Sequence, residues 1–167
     1  MYRTPVLDHQ DSKTFYAALA RELLELIEYE TEWLPALCNA VALLGHQLHD
    51  INWAGFYIVK NELLVLGPFQ GKPACSAIVL GNGVCGGAAQ SGETLVVPDV
   101  HGFPGHIACD EASQSEIVVP VLVGDRVVAV LDIDSPVPDR FSAQDALGLE
   151  SFAALLAEYI DWNNVRF

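Results

Sequence analysis

Apolar positions along the chain follow two periods, and each period predicts its own elements. From Ser12 to Tyr29, Phe15, Leu19, Leu23 and Ile27 return every fourth residue, which places them on one face of an amphipathic α-helix. A second helix is expected from near Thr31 to about His46, with Pro35 in its first turn, where a missing N–H costs no hydrogen bond. Inside it, Cys38 stands among Leu37, Val41 and Leu44 and reads as a core filler, the usual fate of an unreactive cysteine.

Strand-like runs then take over. INWAGFYIV, a polar turn at Lys60 and Asn61, and LLVLGPF form a hairpin pattern. CSAIVL is read as a third strand, VCGGAAQ as a short helix closed by Ser91-Gly92, and TLVVPDV as a fourth strand. EIVVPVLV and RVVAVLDID flank Gly124-Asp125, a two-residue hairpin turn. A last helix opens at Ser142, with Asp145 completing a capping box, and runs through SFAALLAEYI. The order predicts an α+β fold: about six antiparallel strands, N- and C-terminal helices on one face of the sheet, and ligand loops on the other. The amphipathic end helices would also suit pairing between two copies of the chain.

Composition narrows the function. With 167 residues, the chain suits one domain spanning residues 1–167, without repeats or linkers. The formal charge of −14 comes from 22 acidic against 8 basic residues, which argues against nucleic acid and against an anionic membrane surface. The N-terminal MYRTPVLDHQDSK lacks the apolar core of a signal peptide. The cytoplasm is therefore expected, where cysteines serve transient chemistry more often than standing disulfides.

Candidate chemistry concentrates between Gly71 and Glu116. Cys75, Cys85 and Cys109 each sit beside glycine, proline or polar residues, where connections and helix starts form, so they read as thiols kept for reactivity. Cys85 lies near the start of the short helix, where the helix dipole would lower its pKa. Cys109 lies in the patternless stretch from His101 to Ser115, long enough to suggest function. The spacings among Cys75, Cys85, Cys109, His101 and His106 contain no CxxC or HxxxH pair, so no metal and no cofactor is expected. The histidines read as loop residues that hydrogen-bond locally.

Asp132 and Asp134 are two apart on a strand and so share a face, with Leu131 and Ile133 turned to the core. Counting back from the Gly124-Asp125 turn puts Glu116 near them in a simple register. Three clustered carboxylates suit a ligand ammonium group, and one with a raised pKa suits a general acid. They would also raise the pKa of a nearby Cys109 thiol. Trp53 and Tyr57 share a face of the first strand with Gly55, a wall fit for a methyl or thioether group or for plain core filling. Such a set suits attack of a thiolate on an electrophilic sulfur, followed by condensation of the sulfenic acid with a second thiol and reduction by a dithiol donor.

The segments NWAGFY, LGPFQGKPAC, GNGVCG, VVPDVHGFPGHIACD, SEIVVP and VLDIDS together resemble the free methionine-(R)-sulfoxide reductases, a family of GAF-domain enzymes. The resemblance implies a six-stranded antiparallel GAF sheet, a homodimer, and reduction of free L-methionine-(R)-sulfoxide with thioredoxin as the reductant. By motif it implies Cys109 as nucleophile, Cys75 as principal resolving cysteine and Cys85 as a second resolving or relay thiol. Glu116, Asp132 and Asp134 match the family's polar pocket, and Trp53 and Tyr57 the wall for the methylsulfinyl end. Gly86-Gly87 and the terminal segments look free to vary. The alternative is a GAF module that binds a small molecule or senses redox state through the same thiols, without turnover.

Overall fold

The computed structural model describes residues 5–106 and 110–165. Its framework is a single sheet of six strands in the order β3-β2-β1-β6-β5-β4, every neighbouring pair antiparallel. The strands are β1 (Trp53–Lys60), β2 (Leu63–Gln70), β3 (Ala77–Val79), β4 (Leu95–Val97), β5 (Ser115–Val123) and β6 (Arg126–Ser135). Helices α1 (Ser12–Ile27), α2 (Trp33–Gln47) and α4 (Ala143–Tyr159) cover one face, and the short α3 (Gly83–Ser91) lies on the other.

The helical face follows from the four-residue spacing. Phe15, Leu19, Leu23 and Ile27 are all buried, and they meet Phe56, Leu131, Ile133 and Phe152 in one apolar core. Helix α1 starts where Asp11 accepts the Thr14 N–H at 2.8 Å, an N-cap that satisfies an otherwise orphaned donor. Helix α4 starts on the expected capping box, in which Ser142 and Asp145 bond reciprocally. Asp145 also accepts the buried Tyr16 hydroxyl at 2.7 Å and lies 3.4 Å from Arg140 Nη1. Burial pushes the Asp145 carboxyl up, but the bonds from Ser142 and Tyr16 outweigh it and hold the group below its ordinary range. Tyr16 can approach α4 because residue 148 is glycine, where any Cβ would run into the Tyr16 ring.

Some expectations change on the sheet. The third and fourth strands shrink to three residues each, and Val100 begins a short 3-10 turn instead of ending β4. Cys38 is exposed, which overturns its reading as core filler. The buried residues of α2 are Ala36, Leu37, Ala40, Val41, Leu43, Leu44 and Gln47, and at about 100° per residue Cys38 points well outside that arc.

The β5–β6 hairpin carries the most consequential departure. Val123 pairs with Arg126 across Gly124-Asp125, yet a bulge between Val121 and Leu122 leaves Val128 as an extra residue on β6. The turn alone would set Glu116 against Ile133, on the helical face of the sheet and away from Asp132 and Asp134. With the bulge, Glu116 pairs with Asp134. One inserted residue therefore decides which face Glu116 joins, because side chains alternate along a strand.

Candidate active site

Beneath α3, side chains from β1, β5 and β6 line a recess on the non-helical face of the sheet. Its walls are Trp53, Tyr57, Ala74, Ile78, Asn82, Gly83, Val84, Cys85, His106, Ser113, Glu116, Asp132 and Asp134. Strand alternation brings them together. Trp53 pairs with Asp134 and Gly55 with Asp132 across β1–β6, so the aromatic wall and the carboxylates rise from one patch of sheet. The expected face-sharing of Trp53, Gly55 and Tyr57 is what the fold shows, with Ala54 and Phe56 turned into the helical core.

The aromatic wall is held firmly. Trp53 is stacked between Phe69 and Tyr57, with ring centroids 5.4 and 6.0 Å apart. Its Nε1 donates to the Lys72 carbonyl at 3.1 Å, and the Tyr57 hydroxyl donates to the Cys75 carbonyl at 3.1 Å. The indole lies over Gly55, where a Cβ would come within 2.5 Å of it. Both bonds reach into the β2–β3 connection, so the wall fixes the segment that carries half-buried Cys75.

The acidic group is as dense as its register implies. Glu116 and Asp132 are buried, and Cys85 Sγ lies 3.9 Å from Glu116 Oε1. Desolvation pushes all three carboxyls up, and the charge of a neighbouring carboxylate adds to it. Glu116 and Asp134 reach about 8, high enough for either to hold a proton near neutral pH. Asp132 is hydrogen-bonded with Cys85 and Glu116, but its Oδ1 is buried and accepts no bond among the described residues.

Cys85 is therefore not the activated thiol its place near a helix start suggested. Burial pushes it well up, and Asp132 and Glu116 push it further. A nine-residue helix end cannot offset full desolvation beside carboxylates. Cys85 is the third residue of α3, near the helix start as expected, but it is buried. The expected nucleophile Cys109 lies outside the described residues, as does the thiol shift expected there.

Three features escaped sequence reasoning. The His106 side chain reaches beyond its loop, with its Nε2 3.6 Å from Glu116 Oε2. Ser113 hydrogen-bonds with Asp134. Asp110 accepts from Lys72 Nζ at 2.9 Å and from Asn52 Nδ2 at 3.2 Å, and these bonds, led by that from the Ala112 N–H, hold its carboxyl below the usual range. This cluster ties the Cys75 segment to the chain just after Cys109. The only signal available was the largely polar stretch from Asp110 to Ser115. Gly86 also proves constrained, since a Cβ there would sit 2.6 Å from the Val79 carbonyl oxygen.

The chain matches the GAF domain family over residues 14–160. It is 50% identical over 146 residues to the free methionine-R-sulfoxide reductase of Escherichia coli, spanning 87% of this chain and 88% of that protein. It is 51% identical over 148 residues to protein YtsP of Bacillus subtilis, spanning 87% and 91%. The structure of the free methionine-R-sulfoxide reductase from Neisseria meningitidis in complex with its substrate is 38% identical, with a TM-score of 0.88 over 94% of this chain and 95% of that one. By fold, motif and relatedness, this chain belongs to the free methionine-(R)-sulfoxide reductase family of GAF-domain proteins.

Proposed function

We propose that the chain reduces free L-methionine-(R)-sulfoxide to methionine in this recess. The observation that carries the reading is the juxtaposition of an aromatic wall, Trp53 and Tyr57, with the Glu116, Asp132 and Asp134 carboxylates in one buried site. A methylsulfinyl group packs on the rings, while the substrate ammonium supplies the positive charge that the carboxylates lack. The substrate carboxylate is met by first-turn N–H groups of α3 at Gly83 and Val84, where the Asn82 side chain makes no capping bond. Support also comes from relatives that carry this activity in their names, one of them solved with its substrate.

The reaction we infer runs in three balanced steps. The Cys109 thiolate attacks the sulfoxide sulfur, a proton from Glu116 or Asp134 reaches the oxygen, and the S–O oxygen leaves on cysteine as a sulfenic acid while methionine is released. The Cys75 thiol, or Cys85 as relay, displaces water from that sulfenic acid to form a disulfide. A thioredoxin-class dithiol then exchanges with the disulfide and is itself oxidised. Methionine sulfoxide and two thiol hydrogens thus become methionine and water. We further propose that residues 1–167 act as one GAF domain, that two copies pair as a homodimer, and that the protein works in the cytoplasm, where dithiol donors keep thiols reduced.

The test is substrate-dependent oxidation of a thioredoxin system. Free L-methionine-(R)-sulfoxide is compared with the (S) epimer and with a peptide-bound sulfoxide, and Cys109→Ser serves as the blank. Turnover confined to the free (R) form and lost in the variant is the expected result. No turnover with any sulfoxide, from folded and reduced protein, overturns the enzyme reading in favour of a redox-sensing module.

A further inference from the structure

We propose that the reduced recess also binds one divalent metal ion of the zinc class, held by Cys85 Sγ and by one carboxylate oxygen each from Glu116 and Asp132. These three ligand atoms lie within 4.8 Å of one another, and all three residues are buried. The Cys85 Sγ to Glu116 Oε1 distance is 3.9 Å, against about 3.5 Å for the ligand-to-ligand edge of a tetrahedral site with zinc-like bond lengths. Small side-chain adjustments close the difference.

An independent observation points the same way. Asp132 is only 7% exposed, and its Oδ1 accepts no hydrogen bond among the described residues. A buried carboxylate oxygen without a donor is costly, and a cation is the partner that would satisfy it. No lysine or arginine lines the recess among the described residues. Lys72, in the β2–β3 connection, is engaged by Asp110.

The donor set selects the metal. A thiolate beside two carboxylates favours a borderline cation such as Zn²⁺ or Co²⁺ over Ca²⁺ or Mg²⁺, which take oxygen alone. Binding would release the thiol proton and any carboxyl proton to solvent, leaving the metal and its three anionic ligands with a net charge of −1. The ligands stand on α3, β5 and β6, rigid elements that hold their spacing, and the fourth position is open to water. Sequence spacing could not reveal such a site, because its ligands are 31 and 16 residues apart. On the functional reading above, which this consequence rests on, the ion occupies the ammonium subsite and ties up the Cys85 thiol, so zinc inhibits reduction reversibly.

The experiment uses the full chain, reduced and stripped of metal, titrated with Co²⁺ and then with Zn²⁺. We expect a sulfur-to-cobalt charge-transfer band in the near ultraviolet that saturates at one ion per chain and is displaced by one equivalent of Zn²⁺. Cys85→Ser removes the band. Asp132→Asn weakens Zn²⁺ binding by at least about tenfold. Cys38→Ser, which alters the exposed thiol, changes neither. A band that survives in Cys85→Ser, or unaltered Zn²⁺ affinity in Asp132→Asn, overturns the site. If Cys85→Ser fails to fold, Asp132→Asn decides alone. None of these readings involves turnover, so an inactive but cobalt-binding protein would sink only the reductase, and an active protein without the band only the metal site.

Discussion

Strand β6 faces two different environments from one backbone. Ala129, Leu131 and Ile133 enter a core closed by α1, α2 and α4, while Asp132 and Asp134, one residue out of phase, enter the recess under α3. On the first face Ala129, Leu131 and Ile133 bury apolar side chains, so each contributes hydrophobic stabilisation. The second buries carboxylates whose ionised forms are opposed by desolvation and by one another. The helical side holds the fold together, and the recess concentrates carboxyls whose ionisation is opposed. Substitutions on the two faces should therefore differ in sign as well as in size.

The helical side gives the largest effect. Phe152 is fully buried on α4, against the sheet. Phe152→Ala should cost about 3–5 kcal/mol, read as a fall in the urea midpoint with little change in slope. A loss below about 1 kcal/mol would mean that this face is not the main stabilising layer. On the other side, Gly86→Ala places a methyl against the Val79 carbonyl. Shifting α3 to relieve that clash should cost about 1–3 kcal/mol and lower kcat/KM, since Cys85 follows the helix. A neutral Gly86→Ala would restore the freedom its sequence suggested.

What the sequence made legible divides along the same line. The helical core could be read directly, because a four-residue apolar spacing has one solution and Leu131 and Ile133 follow from strict alternation. The pairing of Asp132 with Asp134 was legible for the same reason. Glu116 was assigned to the right cluster by a count that ignored the Val121–Leu122 bulge; no single-strand pattern announces an extra residue whose effect lies across the hairpin. Cys38 differs from its expected place because nearness in sequence is not nearness in phase: Leu37, Val41 and Leu44 share the buried arc of α2, and Cys38 falls outside it. Cys85 was misread because a helix start is local, whereas its burial and the carboxylates facing it come from β5 and β6. His106 and Asp110 act at a distance through a segment with no period, so nothing local marked their partners.

A smaller effect of opposite sign is expected at Asp132. Removing its charge while keeping its shape relieves burial and repulsion, so Asp132→Asn should stabilise the ligand-free protein by about 1–2 kcal/mol at pH 8 while impairing turnover through a raised KM. Thermal melts and steady-state kinetics on the same preparation check both halves. A variant that is less stable yet still active would place Asp132 in the structural layer instead.

The finest test is the pH dependence of that stability. Glu116 and Asp134 are raised to about 8 in the folded chain, from ordinary values of 4.5 and 3.8. As pH rises, the unfolded chain loses these protons first, so across the interval the native state binds more protons than the unfolded one. Stability from these groups is accordingly full below their unfolded values and declines as pH rises toward about 8. Most proteins gain from ionised carboxylates in that range; the recess works against the trend. Melting temperatures for wild type and Glu116→Gln, recorded from about pH 5 to pH 8, should converge at the acid end and separate at the alkaline end, with the variant higher. A separation at the alkaline end with wild type the higher of the two would show that Glu116 is stabilised as an anion in the empty protein, and the two faces of β6 would then differ in chemistry but not in the sign of their contribution.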